Sequence, residues 1–217
     1  MKVSYAGTEE LTRVLVDATR KHLESCSEFV LPFDTYCLMA SSRGIDCINA
    51  YSALVDIDNF VGCAVIARAQ LDSVARLHTV HMETDPHSLA QRLIEGKQLR
   101  DIKGAAGMRL TDGFIVSKLA ELNPWVAPAY KQLNAAAHLS TLHYKSVLAQ
   151  AIHKDGGVMT ARHLGDSSYV LSKDKLSLNR VFESTTRGIA FIMEKWQTIR
   201  PGHPSTEDWL AKARRAT

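Results

Sequence analysis

The stretch NFVGCAVIARAQLDSVARLHTVHM, residues 59–82, decides the fold. Val61, Ala64, Val65, Leu71 and Ala75 recur at helical spacing and make an apolar stripe, the mark of a helix with one side turned to a core. Asp58 just before it is a good N-cap, and Asp85-Pro86 behind it ends the pattern. A long, well-bounded helix at this point predicts an all-α chain built around it.

Reading outward gives more helices. Thr8 with Glu9 and Glu10 opens one to about Cys26, with acids in its first turn to complement the helix dipole. After the break at Pro32 a second runs from about Asp34 to Leu54, and Gly44 inside it suggests a close backbone contact. His87 or Ser88 starts another through Leu99. Residues 103–113 hold three glycines and read as loop. Ile115–Leu122 is helical, Pro128 suits the first turn of a helix from about Ala129 to Gln150, and a long helix spans about Lys173 to Ile199. Val158-Met159-Thr160 and Ser168-Tyr169-Val170-Leu171 around Gly165-Asp166 predict a small β-hairpin near 158–171. Beyond Pro201, residues 201–217 make a short helix and a basic tail with Lys212, Arg214 and Arg215. The sum is one domain, 1–217, an antiparallel bundle of six to eight helices.

Composition sets bounds. With 217 residues and 46% of them hydrophobic, the chain can bury a sizeable core. No apolar run reaches the roughly 18–20 residues of a membrane span, and the N-terminus lacks a signal-peptide h-region, so the expected location is cytoplasmic with no membrane partner. The net charge of +3 is not that of a clustered nucleic-acid-binding face. Cys26, Cys37, Cys47 and Cys63 form no CxxC pair and read as reduced, buried thiols. No cofactor motif occurs: GxGxxG, GxxxxGK[ST], GxSxG and HExxH are all absent.

Three polar patterns could carry chemistry. Arg68, Asp72 and Arg76 stack four residues apart along one side of the 59–82 helix. Charges beside an apolar stripe are either paired to tether the helix or turned toward an anion. Tyr130, Asn134 and His138 occupy one face of the later helix, where a histidine could be a general acid or base, or a hydrogen-bonded core residue. If the two faces meet, they form one polar centre. His78 and His81 stand three apart and could share a metal, but the remaining ligands of a helical metal site are missing, and no metal is expected.

Arg76-Leu77-His78-Thr79-Val80-His81 resembles the Arg-x4-His motif of the HEPN superfamily, helical bundles that include RNA-cleaving toxins and antiviral effectors. Arg68-x3-Asp72 with Tyr130-Lys-Gln-Leu133-Asn134-Ala-Ala-Ala-His138 also resembles a group of bacterial helical proteins with an Arg-x3-acid helix and a Tyr-x2-Leu-Ser-x3-His segment, the serine being Asn134 here. The HEPN resemblance implies metal-independent RNA cleavage by a homodimer, as a toxin-type effector in phage defence. In that scheme a histidine (His81, or His138) moves the 2′-hydroxyl proton, and Arg76 steadies the transition-state charge. Arg68, Asp72, Tyr130 and Asn134 would then bind the ligand. The alternative from the residues themselves is a non-catalytic helical binding or regulatory protein, with those groups as an interior polar network or a pocket for a small anion.

Overall fold

The computed structural model describes residues 7–26, 28–105, 107–138, 151–153, 159–161, 170 and 172–216. The fold is all-α. Helices α1 (Thr8–Ser25), α2 (Pro32–Asp56), α3 (Phe60–His81), α4 (Pro86–Ile94), α5 (Asp112–Leu122), α6 (Val126–Ala137), α7 (Ser172–Ile199) and α8 (Pro204–Ala216) follow in order. Short 3-10 turns lie at Leu99–Asp101 and Arg200–Gly202. Among the described residues no helix is long and apolar enough to cross a membrane.

α3 is the hub, packed against α2, α7, α6 and α5. Its buried residues include Cys63, Ala64, Ala67, Gln70, Leu71, Val74, Ala75, Leu77 and Val80, a wider face than the expected stripe. Val65 is 41% exposed and does not belong to it. The helix start also differs from expectation. Asn59, not Asp58, is the N-cap, its side chain accepting from Gly62 N–H at 2.8 Å. Asp58 instead makes the turn itself, at a φ of 54°, a left-handed position that Asp tolerates better than most residues.

Cross-helix pairs fix the directions. Thr19 meets Ser41, and Thr8 meets Ser52, so α1 and α2 are antiparallel. Gly44 lies against Gln70 and Gly62 against Leu54, so α2 and α3 are antiparallel as well. Asp34 meets Trp196 and Tyr51 meets Asn179, so α7 opposes α2. Gln70 with Thr186, and Val74 with Gly188, set α7 parallel to α3. Sequence neighbours alternate as expected, but α7 returns alongside α1 and α3.

The core centres on Trp196, Tyr51, Phe33 and Phe182, with Tyr51 stacked on Phe182 at 4.0 Å between ring centroids. Gly44 lets α1 close on α2: a β-carbon there would stand 2.7 Å from Leu15 Cδ1. The loop before α5 is folded rather than loose. Leu99, Ile102 and Leu110 are buried, and Glu83 Oε2 accepts from Ala105 N–H at 2.8 Å.

The expected hairpin is a correction. Among the described residues Met159–Ala161 pairs antiparallel with Ala151–His153, Ile152 against Thr160. Its partner therefore precedes it in the chain. Of the expected second strand, residues 168, 169 and 171 lie outside the described residues. The helix expected to run from about Ala129 to Gln150 starts earlier, at Val126, and is interrupted at His138, whose extended backbone ends α6 at Ala137; residues 139–150 lie outside the described residues.

Candidate functional site

α3 and α6 bring the two foreseen polar faces together. Val126, Ala129, Leu133 and Ala136 bury one side of α6, and their spacing of three, four and three is that of a helix face. Tyr130 and Asn134 sit beside that side and meet Arg68. The guanidinium lies over the Tyr130 ring, 4.0 Å from its centroid, while Nε donates to Asn134 Oδ1 at 2.8 Å. Nη1 is ion-paired with Asp72 one turn on. The Arg68 side chain is only 12% exposed. A guanidinium this far from water is stabilised by opposite charge, an oriented amide and an aromatic face together. Asp72 Oδ1 is buried with no hydrogen-bond partner among the described residues.

The other expected site residues lie apart. His138 is the C-cap of α6 and is exposed. Arg76 leaves α3 toward α5 and pairs with Asp112 at 3.1 Å, with 38% of its side chain exposed. His81 faces the opposite neighbours, its ring 6.3 Å from both Phe33 and Trp196. Five residues on a 3.6-residue helix place two side chains about 140° apart, which is why Arg76 and His81 reach different helices. Burial, with His78 and His203 nearby, lowers the His81 pKa, and burial alone lowers that of His78.

A second polar centre was not foreseen. Asp34, in the first turn of α2, is fully buried. It accepts from Leu31 N–H at 2.8 Å, Trp196 Nε1 at 2.9 Å and Arg200 Nη2 at 2.9 Å, with Arg200 Nε at 3.1 Å from both oxygens. Burial by itself would raise this carboxyl, but the bonds from Arg200, Trp196 and Leu31 hold it below the ordinary range. Arg200 is completed by the carbonyl of Phe29 at 2.8 Å. One signal was available in the sequence: an acid two residues after Pro32 is the usual counter-charge of a helix start.

His22, Cys26 and Asp34 place one potential ligand atom each within 4.8 Å, the one set of metal-type donors among the described residues. Their chemistry does not suit a cation. Both Asp34 oxygens are already occupied by donors, one of them a guanidinium. The Cys26 thiol is pushed up to about 11 by burial and the Asp34 charge, and a metal binds the thiolate. His22 is kept neutral by burial against the pull of Asp34.

Comparison of the chain with known protein families, with curated proteins and with solved structures gives no match.

Proposed function

We propose that this chain is a non-catalytic helical binding or regulatory protein, in which the Arg68 cluster fixes the seat of α6 on α3. The observation that carries this reading is that Arg68 is engaged by its own helix and by α6 at once. Asp72 answers its charge, Asn134 its Nε–H and Tyr130 its face. A half-buried cation held in this way orients the two helices it bridges. The outer side of α6 and the exposed His138 then form the surface whose position the cluster sets.

Thermal unfolding of Asp72→Ala and Asn134→Ala tests the reading. Each should lower Tm by several °C, since each leaves part of a buried guanidinium unanswered. Unchanged Tm would instead mark the cluster as a pocket held ready for a small anion.

The second reading is the metal-independent ribonuclease, a cytoplasmic homodimer acting on RNA in defence. It draws on Arg76 being partly exposed and on burial keeping the His81 ring neutral, with its buried Nε2 unpartnered among the described residues and so able to accept a proton. Incubation of the purified chain with mixed RNA in EDTA separates the two. Intact RNA supports the binding reading. Cleavage that is lost in both Arg76→Ala and His81→Ala would establish the nuclease.

A further inference from the structure

Three helices open with proline around one buried imidazole. Pro32, Pro86 and Pro204 begin α2, α4 and α8, and His87, next to Pro86, is fully buried. Its Nδ1 accepts from the backbone N–H of Phe33 at 3.2 Å. That amide belongs to the first turn of α2, where the helix offers no partner of its own. The bond settles the tautomer. Nδ1 is bare, so the ring proton is on Nε2, which faces Thr206 Oγ1 at 3.1 Å. Thr206 stands in the first turn of α8 and is fully buried too. One neutral ring thus ties the start of α2 to the start of α8.

We propose that His87 is the pin of an acid-released C-terminal helix: α8 stays docked while the imidazole is neutral and lets go when the ring is protonated, leaving the rest of the bundle folded. A protonated ring would point an Nδ1–H at the N–H of Phe33, donor against donor. It would also place a cation where the N-terminal ends of three helices already carry partial positive charge. The charged and titratable groups around it act in both directions. Asp34 of α2 and Asp85 at the start of α4 favour the cation, whereas Arg200 and His203 of the turn before α8 oppose it. From α8 itself come Thr206 and the Trp209 ring, 6.1 Å away. Burial outweighs the two carboxylates, and His87 is pushed down to about 4.

α8 is also the helix with the least else to hold it. Its main packing is against α4 and the Arg200–Gly202 turn. Its ion pair from Arg214 to Glu28 is exposed on both sides and adds little. The sign follows from the direction of the shift. Release of α8 takes Thr206 and the Trp209 ring off one side of the imidazole and lets water reach the cation, so its pKa rises from about 4 in the direction of the ordinary 6.5 and protons favour the released state within that window. Across that window docking weakens by up to about 300-fold. The Asp34 carboxyl, held low, gives way only below its ordinary 3.8 and so falls outside the window.

Hydrogen exchange on the full chain between about pH 7 and about pH 4.5, corrected for intrinsic rates, reads the two helices separately. The α8 amides should lose protection as pH falls, while the α3 amides keep theirs. His87→Asn, whose carboxamide can accept from Phe33 N–H but does not titrate, should show no such fall relative to its own value at about pH 7. The proposal is overturned if wild-type α8 protection is flat, if α3 loses protection in step with it, or if His87→Asn retains the same pH dependence. Should His87→Asn fail to fold, the ring carbon shift of His87 in the wild type decides. A midpoint coinciding with α8 release supports the pin, and a midpoint near 6.5 refutes it.

Discussion

Replacing Asp34 by asparagine removes one charge from a pair that water does not reach. The Asp34 side chain is 0% exposed and that of Arg200 3%, so the guanidinium left behind has no solvent to answer it. The carbonyls of Phe29 and Ser25 remain as acceptors at 2.8 and 3.4 Å, and they carry only partial charge. Breaking a buried pair from one side costs about 3–5 kcal/mol. For a chain of this size that is a fall in Tm of roughly 10 °C. Urea unfolding followed by circular dichroism measures it directly. Arg200→Met supplies the control: removing both charges replaces an ion pair with apolar volume, which is often close to neutral. The double variant should therefore be more stable than Asp34→Asn alone. A loss below about 1 kcal/mol, or single losses that add within about 0.5 kcal/mol, would refute the account of the pair as one unit. The pH dependence has a fixed sign. Because the folded carboxyl is held low, its contribution is full above the ordinary 3.8 and is lost as pH falls beneath it.

Two further outcomes test the packing. Gly44→Ala gains helix propensity worth about 1 kcal/mol, but its β-carbon would press on Leu15 Cδ1 at 2.7 Å, with Gln70 and Ile189 closing the other sides. Overpacking of about 1–3 kcal/mol should win, giving a net loss in denaturant unfolding, and a more stable variant would show that α1 yields. All four cysteines are buried and free. Burial raises the Cys47 and Cys37 thiols, the latter well above its ordinary value, and pushes Cys63 up to about 12. The native chain should therefore be inert to a disulfide reagent near pH 8 and react only on unfolding. Rapid modification of the folded chain would contradict that burial.

Periodicity made most of the helices legible, because a long amphipathic segment bounded by a cap and a proline has few alternatives. α3, α5 and α7 begin and end within a few residues of where their patterns place them. The Arg68 cluster could also be read ahead, since Arg68 and Asp72 share one helix side and Tyr130 and Asn134 another. What spacing could not show is which neighbour each side meets. Arg76 and His81 look like a motif in one dimension, yet the helix turns them to α5 and to the Phe33–Trp196 core respectively. The segment expected to form a hairpin is a related case. Met159-Thr160 has the β-propensity of a strand, but propensity does not choose between a partner before it and one after it.

The Asp34 centre was illegible for a deeper physical reason, and that reason ties the stability of the chain to its pH response. His22, Asp34, Trp196 and Arg200 lie on three segments far apart in sequence, and no local pattern marks any of them as a partner of the others. They meet because the ends of α1 and α7, with the Arg200–Gly202 turn, close on the start of α2. The first-turn N–H groups of α2 favour a carboxylate at that point even without water. Asp34 supplies the carboxylate, Arg200 and Trp196 saturate it, and the remaining first-turn amide of Phe33 is left to a neutral acceptor. A histidine meets that last need only while unprotonated. The start of α2 thus holds an ionised acid and an uncharged base side by side, which is why lowering the pH should strike His87 before Asp34.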